Sequence, residues 1–390
     1  MRIGIIGAGP AGAQLGWKMA TAGAEVSLFD ARPEPWEKPC GGGVTSKALR
    51  EFDFLRQPDA RKQMVSDVRI ISNSGRELSI RPKSDFGIFS RRELDRFMRD
   101  RALRSGVRFE NARIASIERQ DTHWTLTAQD GRNFECDFLV GADGATSKTR
   151  KRLGFDFSRG DFIYALGWHV RQPRSKDWQS RVEIKYLDNT MGYIWAFPRT
   201  DHLSFGIASK YQERNPAWLR ATLLDYIAEQ DPVTAAEIRN SGEKSSATAD
   251  FYGAMIPALE PVSWDKLVVS SRNDNWALIG DAAGFVDPLT GEGIYYAIRS
   301  AELLAESLLE GKLDFESRWR GDFGEELRYA SRISERFYLG AAAGAPVTER
   351  MIQLARFHRG IRDTLNDLIA GDQGYLDLKP RLLRSAIRVF

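Results

Sequence analysis

The first thirty residues constrain the fold more than any other stretch. Arg2 to Ile6 (RIGII) is a short apolar run, followed at once by GAGPAG with glycines at positions 7, 9 and 12. AQLGWKMATAG then has helical spacing, with Leu15 and Met19 four residues apart, and Glu25 to Phe29 (EVSLF) reads as a strand ending at Asp30. Strand, glycine turn, helix, strand and acid within thirty residues predict a dinucleotide-binding βαβ unit. Gly7 permits the tight turn, Gly9 lets backbone approach a pyrophosphate, and Gly12 lets helix pack on strand. Pro10 and Ala11 open the helix, whose N-terminal N–H groups and positive dipole end favour an anion. Asp30, followed by Ala31, stands where a carboxylate accepts ribose hydroxyls.

The rest of the composition excludes several alternatives. A chain of 390 residues with 42% apolar and 28% charged residues has material for two or three domains and a large core. Its net charge of +3 gives no case for nucleic acid as a partner. Two cysteines, Cys40 and Cys136, exclude a disulfide scaffold and a four-thiolate zinc site, and four histidines share no ligand spacing, so no metal is expected. No stretch of about 18 apolar residues occurs, and GAGPAG breaks the first apolar run before it could act as a signal peptide. The cytoplasm is the expected compartment, with peripheral membrane contact left open.

Three further stretches select the dinucleotide. In DFLVGADGATSKTR (Asp137 to Arg150), Phe138 to Val140 is a buried strand that turns at GADG. In the segment from Asn275 to Leu309, a strand (Trp276 to Ile279) runs into Gly280-Asp281. A loop with Pro288 then leads to Gly291 and Gly293, and a helix follows with Ile294, Ile298, Ala301, Leu304 and Leu308 on one face. SRRELDRFM (Ser90 to Met98) puts Arg91 just before a helix. With GAGPAG, these motifs resemble, in order, the FAD-dependent oxidoreductases of the para-hydroxybenzoate hydroxylase fold, over roughly the first 310 residues. The resemblance implies that Asp281 binds the flavin ribitol and that Pro288 lies near the isoalloxazine. It also implies that Gly291 to Gly293 aim N–H groups at the flavin pyrimidine edge, that Arg91 reaches the phosphate or ribityl region, and that Asp143 lies in the second cofactor loop. No second glycine-rich unit appears, so a nicotinamide donor (NADPH or NADH) or another reductant would bind only transiently.

Between the motifs, Asp67 to Ile80 reads as two strands about a turn. Tyr164 to Val170, Arg181 to Tyr186, Gly192 to Phe197 and His202 to Ile207 are further strands; Pro216 to Glu229 and Pro232 to Asn240 read as helices. The expected fold class is α/β: a Rossmann-like FAD-binding domain, an inserted, mostly antiparallel substrate-binding sheet, and a C-terminal helical region. The expected boundaries are 1–60, 86–158 and 268–312 for the FAD domain, 61–85 and 159–267 for the sheet, and 313–390 for the helices. The last forty residues, with seven Lys/Arg against four Asp, read as a solvated helical cap or as a basic amphipathic tail suited to a lipid surface.

Two motifs bear on the chemistry. KPCGGGV (Lys38 to Val44) places Gly41, Gly42 and Gly43 after Cys40, so that backbone can pass close to a planar ring. GYIWAFP (Gly192 to Pro198) puts Tyr193, Trp195 and Phe197 on one strand face, an apolar wall for a hydrophobic substrate. Together they resemble the geranylgeranyl reductase family, although Thr190-Met191-Gly192 stands where that family has a proline before the tyrosine. The resemblance implies reduction of isolated C=C bonds in a prenyl or other hydrophobic lipid substrate. Hydride would come from flavin N5, with Cys40 as proton donor or positioning group beside the flavin and Tyr193 and Trp195 assisting. Cys136 reads as core. The alternative is an oxygen-using monooxygenase or a halogenase, whose Gly-Trp-x-Trp-x-Ile-Pro signature GYIWAFP also resembles. Neither Lys83 nor Lys47 has the context of a halogenase lysine. An electron-transfer protein bound to an iron–sulfur cluster is a third class, and two cysteines cannot hold such a cluster.

Overall fold

A computed structural model describes residues 1–387 except 83, 85, 172–177, 179–180, 212, 243–244, 247 and 343. The chain divides into two compact units. The first comprises Met1–Glu37, Arg92–Asp161 and Ile256–Arg328; the second comprises Lys38–Arg91, Phe162–Met255 and Tyr329–Phe390. The C-terminal region is therefore shared, Phe315–Trp319 belonging to the first unit and the helices after residue 329 to the second.

The first unit is built on a six-stranded sheet in the order Ser270–Ser271, Trp276–Leu278, Phe138–Gly141, Arg2–Ile6, Glu25–Asp30, Arg108–Asn111. All neighbours are parallel except the Ser270–Ser271 edge. Parallel strands are covered on both faces, which is why RIGII, FLVG and WAL are nearly continuous apolar runs. Ile3, Ile5, Leu28, Leu139, Val140 and Leu278 are all within 1% of complete burial. Helices Pro10–Thr21 and Ile294–Leu309 pack Leu15, Ala301, Leu304 and Leu308 into the same core. A three-stranded antiparallel sheet (Ile114–Arg119, Trp124–Ala128, Asn133–Cys136) completes the unit. The helix expected after Arg91 includes it, running Arg91–Arg104.

The second unit holds a seven-stranded sheet in the order Ala249–Pro257, Phe162–Arg171, His202–Lys210, Gly192–Pro198, Arg181–Tyr186, Asp67–Ile71, Glu77–Ile80. Arg181–Tyr186 and Asp67–Ile71 pair in parallel, whereas the strands from Phe162 through Tyr186 pair antiparallel. Helices Pro216–Gln230 and Pro232–Asn240 cover one face, packing Leu219, Leu223, Ile227 and Ile238 on Leu166, Trp168, Ile194, Phe205 and Ile207. Helices Val347–Phe357 and Arg359–Ile369 bury Ile352, Ala355, Ile361 and Leu365 against Val68, Ile70 and Val182. Residues 341–346, expected to be helical, instead pair Ala341–Ala342 with Ala345–Pro346 as a two-stranded hairpin. No helix among the described residues is long and apolar enough to cross a membrane.

Candidate functional site: a dinucleotide cradle and an aromatic strand under the Cys-Gly-Gly-Gly segment

In the first unit, GAGPAG turns directly from the first strand into the Pro10–Thr21 helix. Gly7 has φ +110°, and a Cβ there would lie 2.3 Å from the Ala142 carbonyl oxygen. At Gly12 a Cβ would lie 2.0 Å from the Gly7 carbonyl oxygen. At Gly9, by contrast, a Cβ would meet nothing within 4 Å. The three glycines thus have different jobs: two are fixed by the chain's own backbone, and the third faces open space at the helix cap. Gly9 and Gly293 are the N-caps of helices Pro10–Thr21 and Ile294–Leu309, and neither start has a side-chain cap. The two helix starts converge on Gly280, whose Cβ direction points at Ala11 Cβ (3.1 Å) and Ala297 Cβ (3.3 Å). Two uncapped helix N-termini beside an open glycine fit the diphosphate and the electron-rich ring edge of FAD. Gly7, Gly9, Pro10, Ala11, Gly12, Asp281 and Gly293 would hold it.

Several expected cofactor residues are occupied within the chain. Asp30 accepts hydrogen bonds from the Ala8 N–H (3.0 Å) and the Arg32 N–H (2.9 Å), so it braces the glycine turn as well as facing outward beside exposed Ala31. Asp143 accepts from the Ser147 hydroxyl, from the Lys148 and Thr149 N–H groups (2.9 and 3.0 Å) and from the Thr149 hydroxyl (3.0 Å). These four donors make Asp143 a brace at the start of helix Lys148–Arg152, whose N-cap is Ser147. The Gly291 N–H, expected to face the flavin, donates to the Asp287 carbonyl at 2.8 Å. Pro288 is buried within this loop, which the Asp287 carboxylate holds by accepting from the Leu289 and Thr290 N–H groups (2.8 and 3.2 Å). Arg91 is 4% exposed at the first position of its helix.

The sequence reading missed Arg150. Its side chain is buried, donates to the Ala282 carbonyl (2.9 Å) and the Ala145 carbonyl (3.1 Å), and lies 3.7 Å from the centre of the Phe157 ring. Desolvation lowers the pKa of this guanidinium. It ties the GADGATS loop to the Gly-Asp turn at Gly280–Ala283, 132 residues away. Only its place in an ATSKTR stretch full of cations could have hinted at this, and nothing local distinguishes it from Lys148 or Lys151.

In the second unit the two chemistry-bearing motifs come together. Within Gly192–Pro198, Tyr193, Trp195 and Phe197 share a face, opposite Ala208, Gly206 and Ser204 of the next strand. Trp195 is buried flat over Gly206, where a Cβ would lie 2.0 Å from the indole ring. Tyr193 is half-buried, its ring centre 6.1 Å from that of Trp195. The Cys-Gly-Gly-Gly segment lies on the same strand. The Cβ direction of Gly41 runs into the Phe197 ring at 2.8 Å, and that of Gly42 (φ +80°) into the Phe89 carbonyl oxygen at 2.1 Å. Gly43 also abuts Phe197, at 3.1 Å. Phe197 thus takes up the Cβ directions of Gly41 and Gly43, and the Phe89 carbonyl that of Gly42.

Cys40 is half-buried, and its Sγ accepts the Gly42 N–H at 3.2 Å. Its carbonyl takes hydrogen bonds from buried Arg199 and from Ser204 Oγ (3.4 Å). Ser204 is fully buried and also accepts from the Trp195 indole N–H (3.4 Å) and contacts the Tyr252 hydroxyl (3.2 Å). Burial pushes the Tyr252 phenol pKa up. Tyr252 stacks on His169 (4.3 Å), and His169 meets His202 edge-on (4.7 Å). Sequence spacing could not reveal this pairing, because the two histidines are 33 residues apart and meet only through strand registration, Ser204 opposite His169 and His202 opposite Arg171. Cys136 is core: burial pushes its thiol up to about 12. Lys83, weighed for a halogenase, lies outside the described residues; Lys47 lies 4.0 Å from Glu51 on its own helix.

Comparison with known proteins agrees with this geometry. A family model described as an FAD binding domain matches residues 1–312. The chloroplastic geranylgeranyl diphosphate reductase of Nicotiana tabacum is 27% identical over 342 residues, covering 80% of this chain and 66% of that one. The menaquinone reductase of Mycobacterium tuberculosis H37Rv is 30% identical over 323 residues, covering 78% of this chain and 75% of that one. The chain belongs to the geranylgeranyl reductase family of FAD-dependent oxidoreductases. The fold is likewise that of a geranylgeranyl bacteriochlorophyll reductase-like protein from Thermoplasma acidophilum, with a TM-score of 0.74, 17% identity and 98% of each chain covered. As a geranylgeranyl reductase family member, the chain is an FAD-binding enzyme, and its GAGPAG, GADG and Gly-Asp motifs all lie within the matched FAD domain.

Proposed function

We propose that this flavoprotein reduces carbon–carbon double bonds in a prenyl or other hydrophobic substrate. The observation that carries the reading is the seating of the Cys-Gly-Gly-Gly segment on the Tyr193–Trp195–Phe197 strand, Gly41 and Gly43 abutting Phe197 and the Cys40 carbonyl held by Arg199 and Ser204. The tobacco and mycobacterial relatives are named for reductions, and that supports the same class. Held by the Gly7–Gly12 turn and the start of the Ile294–Leu309 helix, FAD would supply hydride-transfer chemistry, with NADPH, NADH or another reductant as transient electron donor.

The chain's own residues supply the rest. An unactivated alkene polarises little, so the site must align it and exclude water. Tyr193, Trp195 and Phe197 form the apolar wall, and the Ser204 contact fixes the Trp195 indole plane. Cys40 gives its thiol proton to the second alkene carbon. The Gly42 N–H, already on the sulfur at 3.2 Å, then stabilises the thiolate until solvent reprotonates it. The setting would be the cytoplasm, with substrate drawn from a lipid phase.

Mass spectrometry of prenyl lipids after anaerobic incubation with chemically reduced enzyme tests this reading. A gain of two hydrogens is expected. Turnover only with dioxygen, adding one oxygen, or only with halide would overturn it in favour of a monooxygenase or halogenase, to which GYIWAFP also bears a likeness. Cys40→Ala should keep its flavin and slow alkene reduction at least tenfold, by about 1.4 kcal/mol in the barrier; an unchanged rate removes Cys40 from the chemistry.

A further inference from the structure

We propose that the turn between helices Val347–Phe357 and Arg359–Ile369 docks this enzyme on an anionic lipid bilayer. The inference stands on surface geometry and does not depend on the alkene chemistry. These two helices commit one face to the protein: Ile352, Ala355, Ile361 and Leu365 are buried against the sheet strands at Val68, Ile70 and Val182. At the tip the pattern inverts. Phe357 is 78% exposed, the most exposed large apolar side chain among the described residues, and Leu354, one turn earlier on the same helix, is 44% exposed. Phe357 and Leu354 together make an apolar patch at the helix end, beside the arginines that flank it.

The tip is held in place. Arg362 donates to the Ala355 carbonyl (2.9 Å) and the Arg356 carbonyl (2.6 Å), satisfying the open carbonyls at the end of the first helix. Phe357 is therefore projected by a braced turn. Cations flank it: Arg356 is exposed, and the Arg359 side chain is 93% exposed, its acid neighbour Asp363 lying 3.8 Å away. The charge is concentrated here as well. From Met351 to Phe390 there are seven Lys/Arg against four Asp, an excess equal to the +3 of the whole chain. Two of those four acids, Asp367 and Asp372, are already engaged by Arg381 and Arg50.

An exposed apolar tip flanked by two arginines fits a fluid interface. The phenyl ring enters the boundary between headgroups and acyl chains while the guanidinium groups stay with lipid phosphates. Two side chains are too small a patch for a stable protein partner, which needs roughly 800 Å² per side. A lipid surface would also present hydrophobic substrates at high local concentration.

The test is co-sedimentation of full-length, FAD-loaded protein with phosphatidylcholine vesicles carrying 0 or roughly 30% phosphatidylglycerol. Binding to the anionic vesicles is expected, weakening as salt is raised because surface charge is screened. Phe357→Ser and the pair Arg356→Glu/Arg359→Glu should each cut the vesicle-bound fraction at least tenfold. Both should leave the FAD content and the melting temperature unchanged, since these exposed residues take no part in the cofactor cradle or the core. Equal binding to neutral and anionic vesicles, no binding to either, or full binding by either variant would overturn the proposal. So would a dimer that dissociates in Phe357→Ser while vesicles are ignored, which would make the tip a protein contact.

Discussion

Gly9 caps the Pro10–Thr21 helix with φ −73° and ψ −174°, a backbone that any residue adopts. Among the described residues, none beyond its neighbours in the chain lies within 4 Å of the position a Cβ would take. Gly9→Ala should therefore fold normally. Losing glycine at an N-cap costs up to about 1 kcal/mol, and the stiffer unfolded chain returns about 0.4–1 kcal/mol, so the two nearly cancel. The ligand feels the change instead. A methyl group in the open space pushes the diphosphate off the helix N-terminus. Each charge-assisted hydrogen bond lost costs about 1.5–3 kcal/mol, so FAD should bind roughly 10- to 150-fold more weakly per bond. Gly7→Ala and Gly12→Ala supply the contrast. Their added carbons would sit 2.3 and 2.0 Å from backbone carbonyl oxygens, and strain and overpacking of this kind cost about 1–3 kcal/mol each or more. The assays are thermal melts of deflavinated protein and FAD titration by fluorescence quenching. The reasoning fails if Gly9→Ala binds FAD within twofold of wild type. It fails equally if Gly9→Ala melts as early as Gly7→Ala or Gly12→Ala in the absence of flavin.

Three further outcomes are expected. Gly206→Ala would drive a methyl group into the Trp195 indole, 2.0 Å away; overpacking should destabilise the protein by about 1–3 kcal/mol, read as a lower denaturation midpoint, and an unshifted midpoint would mean that the indole does not lie on Gly206. A thiol reagent at pH 8 should titrate one cysteine in the native protein and two in denaturant, because Cys40 is half-buried whereas buried Cys136 has its thiol pushed up to about 12; two reactive native thiols would contradict that burial. Arg150→Met removes the donor shared by the Ala282 and Ala145 carbonyls; each buried carbonyl left unpaired costs about 1–3 kcal/mol, so the melting temperature should fall, and an unchanged one would show that the loops hold without the tie.

What the sequence alone determined was local and periodic. The strand–turn–helix at Arg2–Thr21 is set by an apolar run, three glycines and a Pro at the first helical position, all within reach of one another along the chain. The same holds for the Ile294–Leu309 helix, where a stripe at Ile298, Ala301, Leu304 and Leu308 is legible from a 3.6-residue period. The hairpin at Ala341–Pro346 escaped because an alanine-rich stretch favours a helix locally, whereas its strand pairing depends on residues brought together by the turn.

Tertiary structure decided which of the candidate groups remain available. Asp143 and the Gly291 N–H look like ligand contacts in the sequence, yet the folded chain fills both with its own hydrogen bonds. Ser204 links Trp195 to the Cys40 carbonyl, and His169 meets His202, because antiparallel registration sets Trp195 diagonal to Ser204 and His169 diagonal to His202, pairings that no spacing rule connects. A one-residue slip would have turned Tyr193, Trp195 and Phe197 to the face covered by helices Pro216–Gln230 and Pro232–Asn240. Periodicity names the face a residue belongs to; only the pairing of distant strands determines what that face meets.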